Sequence, residues 1–433
     1  MTLGKEKNPS KEELNILLAH YQNGRLNDAE KLAVSITTKF PKHQFGWKVL
    51  GSVLKQTGRV IDSLTAMQKS VQLAPQDAEA HNNLGVTLKE LGRFDEAEAS
   101  YSQAIALKPD YAQAHYNLGN TLKELGRLNE AEAIYNQAIA LKPDFAEPYG
   151  NLGNTLEELG RFEDAEASYN QAIALNPDYA LAHYGLSKML YIKGKEDLAL
   201  NSIVKANEIE SKSKHYELML RFMEARKSRK EKEAAFGDTT NISASTGLVS
   251  NPLILNRLVE AELITSLYEM NSIQLDKTKR LGLLASGKKD PRYGNGIVSS
   301  NFNLFDDSHS IIQKVAEDLT KIMMEAVKSD IYILDSFFNI LRAGGGTTPH
   351  AHLSGLDRNI ALGLGKQKYS LVYYLSVGDQ NCREPGILKL YEPDKDILPC
   401  EGMIVIIPAS RKHSAVYSGK TDRVMIGVNF YSI

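Results

Sequence analysis

The residues best suited to chemistry are three of the chain's ten histidines. His350 and His352 form a close pair in GGGTTPHAHLSG, and His413 lies in PASRKHSAVYSGKTDRVMIGVNF, with Arg423 ten residues beyond it. A lone histidine at a strand end is usually a surface or hydrogen-bonded residue, but imidazole is also the commonest metal ligand. An H-x-H pair, a distal histidine and a following arginine in one segment make a metal site the stronger reading. Arg423 taken alone can equally be a structural ion-pair residue. The run Gly344, Gly345 and Gly346 is only superficially like a phosphate loop, because no Lys-Ser/Thr follows it and no βαβ pattern surrounds it. Cys382 and Cys400 are the only cysteines and show no CxxC spacing, so reduced thiols are expected rather than a disulfide or a thiolate metal site.

These histidines need a rigid frame, and the surrounding sequence supplies strands. Runs at IYILDSFFNIL, YSLVYYLSV, GILKLYEP, MIVIIP and RVMIGVNFY are separated by segments rich in Gly and Pro, the signature of an antiparallel β domain. Before them, HSIIQKVAEDLTKIMMEAVK places Ile311, Ile312, Val315, Leu319, Ile322, Met323 and Ala326 on one helical face, which should pack on a sheet. Strand number and length suit a double-stranded β-helix, or jelly roll, with flanking helices, over residues 252–433.

The N-terminal half reads differently. Glycine recurs at Gly24, Gly58, Gly92, Gly126, Gly160 and Gly194, and proline at Pro41, Pro75, Pro109, Pro143 and Pro177, in a strict 34-residue register. A small residue keeps the same register from Ala29 to Ala199, and an apolar one from Ile16 to Leu186. The glycine suits a turn after a first helix, the small residue lets two helices approach, and the proline ends the second helix. Six helical hairpins over residues 10–213 follow, then a helix over 214–236 covering the last apolar face and a polar linker over 237–251. The basic run Arg226, Lys227, Arg229, Lys230 and Lys232 is interleaved with Glu231 and Glu233, as a solvated helix end would be. With 42% apolar and 24% charged residues and a net charge of -2, the chain has no overall electrostatic pull toward nucleic acid or membrane. The first residues carry no apolar signal core and no run of about 18 apolar residues appears, so a cytoplasmic location is expected.

The repeat positions, with HNNLGVTLKELGRFDEAEASYSQAIALKPD as the clearest copy, resemble the tetratricopeptide repeat (TPR) family. That resemblance implies a superhelix whose groove holds a protein or extended peptide. Asn83, Asn117 and Asn151 recur one residue before the apolar repeat position and would form a ladder of amides able to grip a peptide backbone; the alternative is that they are solvated or bond within the hairpins.

Residues 290–433 resemble the Fe(II)- and 2-oxoglutarate-dependent dioxygenases, on the H-x-H pair, the distal histidine and the arginine after it. The resemblance implies that His350 and His413 ligate iron and that Arg423 pairs with the far carboxylate of 2-oxoglutarate. His352 stands where the family has an acidic ligand. The third ligand is therefore His352 itself or a carboxylate such as Asp357, unless the site is degenerate. Asn339 and the adjacent Tyr373 and Tyr374 are candidates for polar groups around the co-substrate, with Tyr373 the one assigned; only alternate strand residues face inward, and the alternative is that the tyrosines are core aromatics. The activity so implied is hydroxylation of a protein or peptide held by the repeats. A non-catalytic scaffold and a small-molecule hydroxylase that uses its repeats for assembly are the alternatives.

Overall fold

The computed structural model describes residues 8–236, 252–275, 292–293, 295–300, 302–353, 357 and 362–433; the expected linker over 237–251 lies outside them. Contacts divide the chain into two units, residues 1–193 with 197–210, and residues 211–433 with 194–196. Among the described residues no helix is long and apolar enough to cross a membrane.

The first unit is a helical solenoid of hairpins. They are α1 (Lys11–Gln22) with α2 (Leu26–Lys39), α3 (Gln44–Gln56) with α4 (Val60–Leu73), α5 (Ala78–Glu90) with α6 (Phe94–Leu107), α7 (Ala112–Glu124) with α8 (Leu128–Leu141), α9 (Ala146–Glu158) with α10 (Phe162–Leu175), and α11 (Ala180–Ile192) with α12 (Glu196–Ile209). The turn glycines adopt the left-handed conformation their place requires, with φ of +79° at Gly58 and +71° at Gly92. Ala97, Ala131 and Ala165 are fully buried at the hairpin crossings. A second small position was not singled out in the repeat. Gly119 lies under the Tyr135 ring, where a Cβ would come within 2.7 Å of Cε1, and Gly85 and Tyr101 repeat the contact. A large aromatic ring against a backbone without a side chain thus sets the spacing of these central hairpins.

The second unit begins with α13 (Lys214–Phe236). The sequence pattern assigns this helix to the solenoid's end, whereas its contacts group it with the sheets. Near its start, the Lys214 carbonyl accepts the Tyr332 hydroxyl at 3.0 Å. Two antiparallel sheets follow. The larger, seven-stranded, runs β1 (Leu253–Asn256), β10 (Met403–Pro408), β7 (Lys368–Ser376), β12 (Arg423–Ser432), β5 (Ile331–Leu341), β4 (Gly296–Ser299), β2 (Ser272–Leu275). The smaller runs β3 (Arg292–Tyr293), β6 (Gly345–His350), β11 (His413–Tyr417), β8 (Leu388–Leu390), β9 (Lys395–Ile397).

The large sheet is covered on one face by α14 (Ala261–Glu269) and α15 (Ser310–Val327). Ile312, Val315, Leu319 and Met323 of α15 bury against Phe338, Ile340, Leu371, Tyr373, Ile426 and Val428. Each such side chain removed from water contributes about 1.5–3 kcal/mol before chain entropy is subtracted. On β12 the even-numbered residues from Val424 to Phe430 take this face. Arg423, Met425, Gly427 and Asn429 therefore face the other way, into a cavity of about 490 Å³ shared with the small sheet.

Candidate metal centre

His350 closes β6 and His413 opens β11, and the two are direct cross-strand partners. His352 lies two residues past His350, which returns its side chain to the same side. Its backbone N–H donates to the Ala409 carbonyl at 2.8 Å and holds the segment in place. The ring centroids stand 4.4 Å (His350 and His413), 4.9 Å (His350 and His352) and 5.0 Å (His352 and His413) apart. Each ring offers a nitrogen within 4.8 Å of the other two. The Nε2 atoms of His352 and His413 are separated by 3.2 Å. Two nitrogens each about 2.1 Å from one ion stand about 3.0 Å apart at a right angle and about 3.4 Å apart at a tetrahedral angle, so the spacing fits a shared cation.

His413 is prepared for that role. Burial, and after it the neighbouring His350, push its pKa down to about 3, which keeps the imidazole neutral. Its Nδ1 lies 3.2 Å from the Arg411 carbonyl. A carbonyl can only accept, so the proton is assigned to Nδ1 and the Nε2 lone pair faces His352. Ligating histidines commonly anchor their second nitrogen in this way. Three imidazole nitrogens suit iron, and equally zinc, copper or nickel.

The three histidines share the cavity with Arg423, which stands at the first residue of β12 and is fully buried. Its Nη1 donates to the Gly386 carbonyl, while Nε and Nη2 have no hydrogen-bond partner among the described residues. The guanidinium lies 4.9 Å from the centroid of the Tyr374 ring. Burial lowers its pKa, and the neighbouring Tyr374, through its charge and hydrogen-bonding capacity, offsets part of that. A buried cation with two open donors is an incomplete site, and its planar fork has the geometry that suits an oxyanion such as a carboxylate or a phosphate.

Two sequence assignments are corrected. Tyr373 points away from the cavity into the helix-covered core, where its hydroxyl donates to the Leu258 carbonyl at 2.9 Å and accepts from Arg257 Nη1 at 3.0 Å. Its neighbour Tyr374 lines the cavity, and so does Asn339. Asp357 is not grouped with the histidines. Its carboxylate accepts Lys368 Nζ at 2.9 Å and the Tyr431 hydroxyl at 2.6 Å in a buried ion pair. Ser370, Asn429 and Asp335 were missed. They form a chain in the cavity wall, Ser370 Oγ donating to Asn429 Oδ1 at 2.5 Å and Asn429 Nδ2 to Asp335 Oδ1 at 2.7 Å. Counting in twos from Arg423 along β12 would have found Asn429, about 20 Å away at roughly 3.3 Å per residue.

Tetratricopeptide repeat family models match residues 66–99, 110–178 and 151–206, and a TPR repeat model matches residues 87–126. Residues 66–206 are tetratricopeptide repeats. Similar solved structures include the APC/C hetero-tetramer Cut9-Hcn1, at 16% identity over 49% of this chain and 42% of that one, with a TM-score of 0.45. The present chain thus spans less than half of that relative. MamA is 26% identical over 38% of this chain and 95% of its own, with a TM-score of 0.35. TTC0263, a thermophilic TPR protein of Thermus thermophilus, is 25% identical over 42% and 98%, with a TM-score of 0.36. No curated protein matches the chain. The repeats make the N-terminal unit a scaffold of the protein-interaction type.

Within the TPR unit the asparagines join neighbouring repeats. Asn117 Nδ2 donates to Asn82 Oδ1 at 2.9 Å, and Asn151 Nδ2 donates to Asn120 Oδ1 at 2.8 Å and to the Tyr116 hydroxyl at 3.0 Å. Asn83 Oδ1 accepts a longer contact from Asn82 at 3.4 Å. The Asn117 and Asn151 bonds link one hairpin to the next, an arrangement that neither the peptide ladder nor bonding within a hairpin describes. Asn151→Ala should therefore destabilise the helical unit by roughly 0.5–1.5 kcal/mol per lost bond. Urea unfolding followed by helical circular dichroism measures this, and an unchanged midpoint would leave the amides no role in stability.

Proposed function

We propose that the C-terminal unit is an Fe(II)- and 2-oxoglutarate-dependent dioxygenase that hydroxylates a protein or peptide recruited by the TPR groove. The observation that carries the reading is one cavity holding both the three-imidazole cluster and a fully buried arginine whose Nε and Nη2 are unmatched. The strand order supports a double-stranded β-helix. From β5 onward, consecutive strands pass alternately between the sheets before doubling back, giving β10-β7-β12-β5 in one and β6-β11-β8-β9 in the other.

His350, His352 and His413 would hold the iron on one face, with His352 in the place where the resembling family has a carboxylate. Bound there with 2-oxoglutarate and oxygen, iron would supply oxidative decarboxylation of the co-substrate and insertion of an oxygen atom into a substrate C–H bond. Arg423 would orient the co-substrate through its remote carboxylate, and the bidentate fit of guanidinium to carboxylate fixes its direction. The Arg411 carbonyl keeps the His413 proton on Nδ1. Leu341, Leu388 and Met425 surround the arginine end with apolar surface and exclude water from it.

Adding 2-oxoglutarate to the Fe(II)-loaded protein without oxygen should produce a visible charge-transfer band, and admitting oxygen should yield succinate. Arg423→Ala should keep its iron yet bind 2-oxoglutarate about 10- to 150-fold more weakly, the worth of a charged hydrogen bond of roughly 1.5–3 kcal/mol. Arg423→Lys should recover only part. A second reading is a scaffold without turnover, of the protein-interaction type that the repeats support. It takes over if the wild-type protein shows neither the band nor succinate. A small-molecule hydroxylase would instead turn over without any partner captured by the repeats.

A further inference from the structure

The unmatched donors of Arg423 are not a random pair. Nε and Nη2 lie on one edge of the guanidinium, and Nη1, which donates to the Gly386 carbonyl, belongs to the other. Gly386 follows Pro385 in the turn leading into β8, and Pro385 pairs with Tyr417 in an isolated β-bridge that anchors the turn to β11. At Gly386 φ is +77°, and a Cβ built on it would overlap Nη1 itself, with the guanidinium carbon next nearest at 2.6 Å. The ring of Tyr374 bounds the guanidinium as well. The arginine therefore occupies the volume that any side chain at position 386 would fill, and the backbone carbonyl of that same residue holds its far nitrogen.

We propose that Gly386 is a positioning residue for Arg423: it seats the guanidinium so that the Nε–Nη2 edge faces the cavity and grips an anionic ligand side-on. This rests on the co-substrate reading above and adds a residue that the H-x-H, His and Arg pattern does not contain. Glycine serves here by the space it leaves as well as by its tolerated φ. The grip itself costs no reorganisation when the ligand arrives, because the Gly386 carbonyl and Tyr374 already fix the fork.

The test uses the full chain loaded anaerobically with Mn(II), with 2-oxoglutarate titrated calorimetrically and Mn(II) content measured beside it. Gly386→Ala should weaken 2-oxoglutarate at least 10-fold while Mn(II) content stays at the wild-type level. The same substitution in an Arg423→Ala background should produce no further weakening, since the group it displaces is gone. Melting temperatures give a second cycle that needs no ligand. Gly386→Ala should lower the melting temperature more in the wild-type background than in Arg423→Ala, where only the left-handed backbone is penalised. Equal losses in both backgrounds, in affinity and in melting temperature alike, would overturn the positioning role and leave the oxygenase reading intact. Absence of 2-oxoglutarate binding by the wild-type protein would overturn the oxygenase reading and, with it, this role toward that ligand.

Discussion

Replacing His413 by alanine should leave both units folded and strip the protein of Fe(II). Losing an outer partner of a metal ligand commonly costs 10- to 100-fold in affinity, and loss of a ligand should exceed that. His350→Ala should behave alike, since the two residues face each other across β6 and β11. His352 is the discriminating position. With Asp357 held by Lys368 and Tyr431, no carboxylate among the described residues is grouped with the histidines, so His352→Ala should also lose iron. His352→Asp should restore a hard oxygen ligand and with it binding. Metal content after anaerobic reconstitution and desalting measures all four. Full iron in His352→Ala would overturn the three-imidazole centre, because a histidine whose nitrogen stands 3.2 Å from that of His413 would then be dispensable.

Asp357→Asn should destabilise the sheet unit by about 3–5 kcal/mol, the usual cost of removing one partner from a buried ion pair. The Lys368 and Asp357 side chains are 4% and 0% exposed, so the ammonium left behind has no water to turn to. Lys368→Met should cost a similar amount by stranding the carboxylate. The two losses should not add, because the double variant leaves no uncompensated charge. The single tryptophan, Trp47, lies in α3, so its fluorescence follows the solenoid. Hydrogen exchange of β7 and β12 amides reads the sheets directly. Iron content of Asp357→Asn should match wild type, and a variant that keeps its stability while losing iron would reassign Asp357 as a ligand.

The legibility of the sequence differed between the halves for a physical reason. A repeat contacts mainly its neighbours, so a period of 34 residues carries nearly all the geometry, and the hairpins appear where the glycines and prolines put them. A sheet is closed by distant pairs. In β7 nearly every residue is buried, so YSLVYYL offers no polar alternation from which to decide which tyrosine faces the cavity. The decision lies in β12, where Met425 sits beside Tyr374 and Ile426 beside Tyr373. Asp357 looked available because it lies five residues from His352, yet its partner Tyr431 comes from the last strand of the chain. The three histidines and Arg423 were legible because their residue types are scarce and chemically specific. Ser370 and Asn429 are common types whose role depends on register alone.

Several of the bonds between repeats span nearly one period. Asn117 reaches back to Asn82, Asn151 to Asn120, and Arg127 and Arg161 pair with Glu98 and Glu132 of the preceding repeat at 2.7 Å. A chain built this way can be edited in whole units. Removing 34 residues anywhere between Asn82 and Asn151 brings a donor beside an acceptor of the same kind, so the joint heals with its bonds intact. Removing half as many would set turn glycines against helix interiors. The gene for such a protein can lengthen or shorten by unequal recombination between its own repeats, and the length of the helical stack becomes a trait that varies in discrete steps while the sheet unit stays untouched.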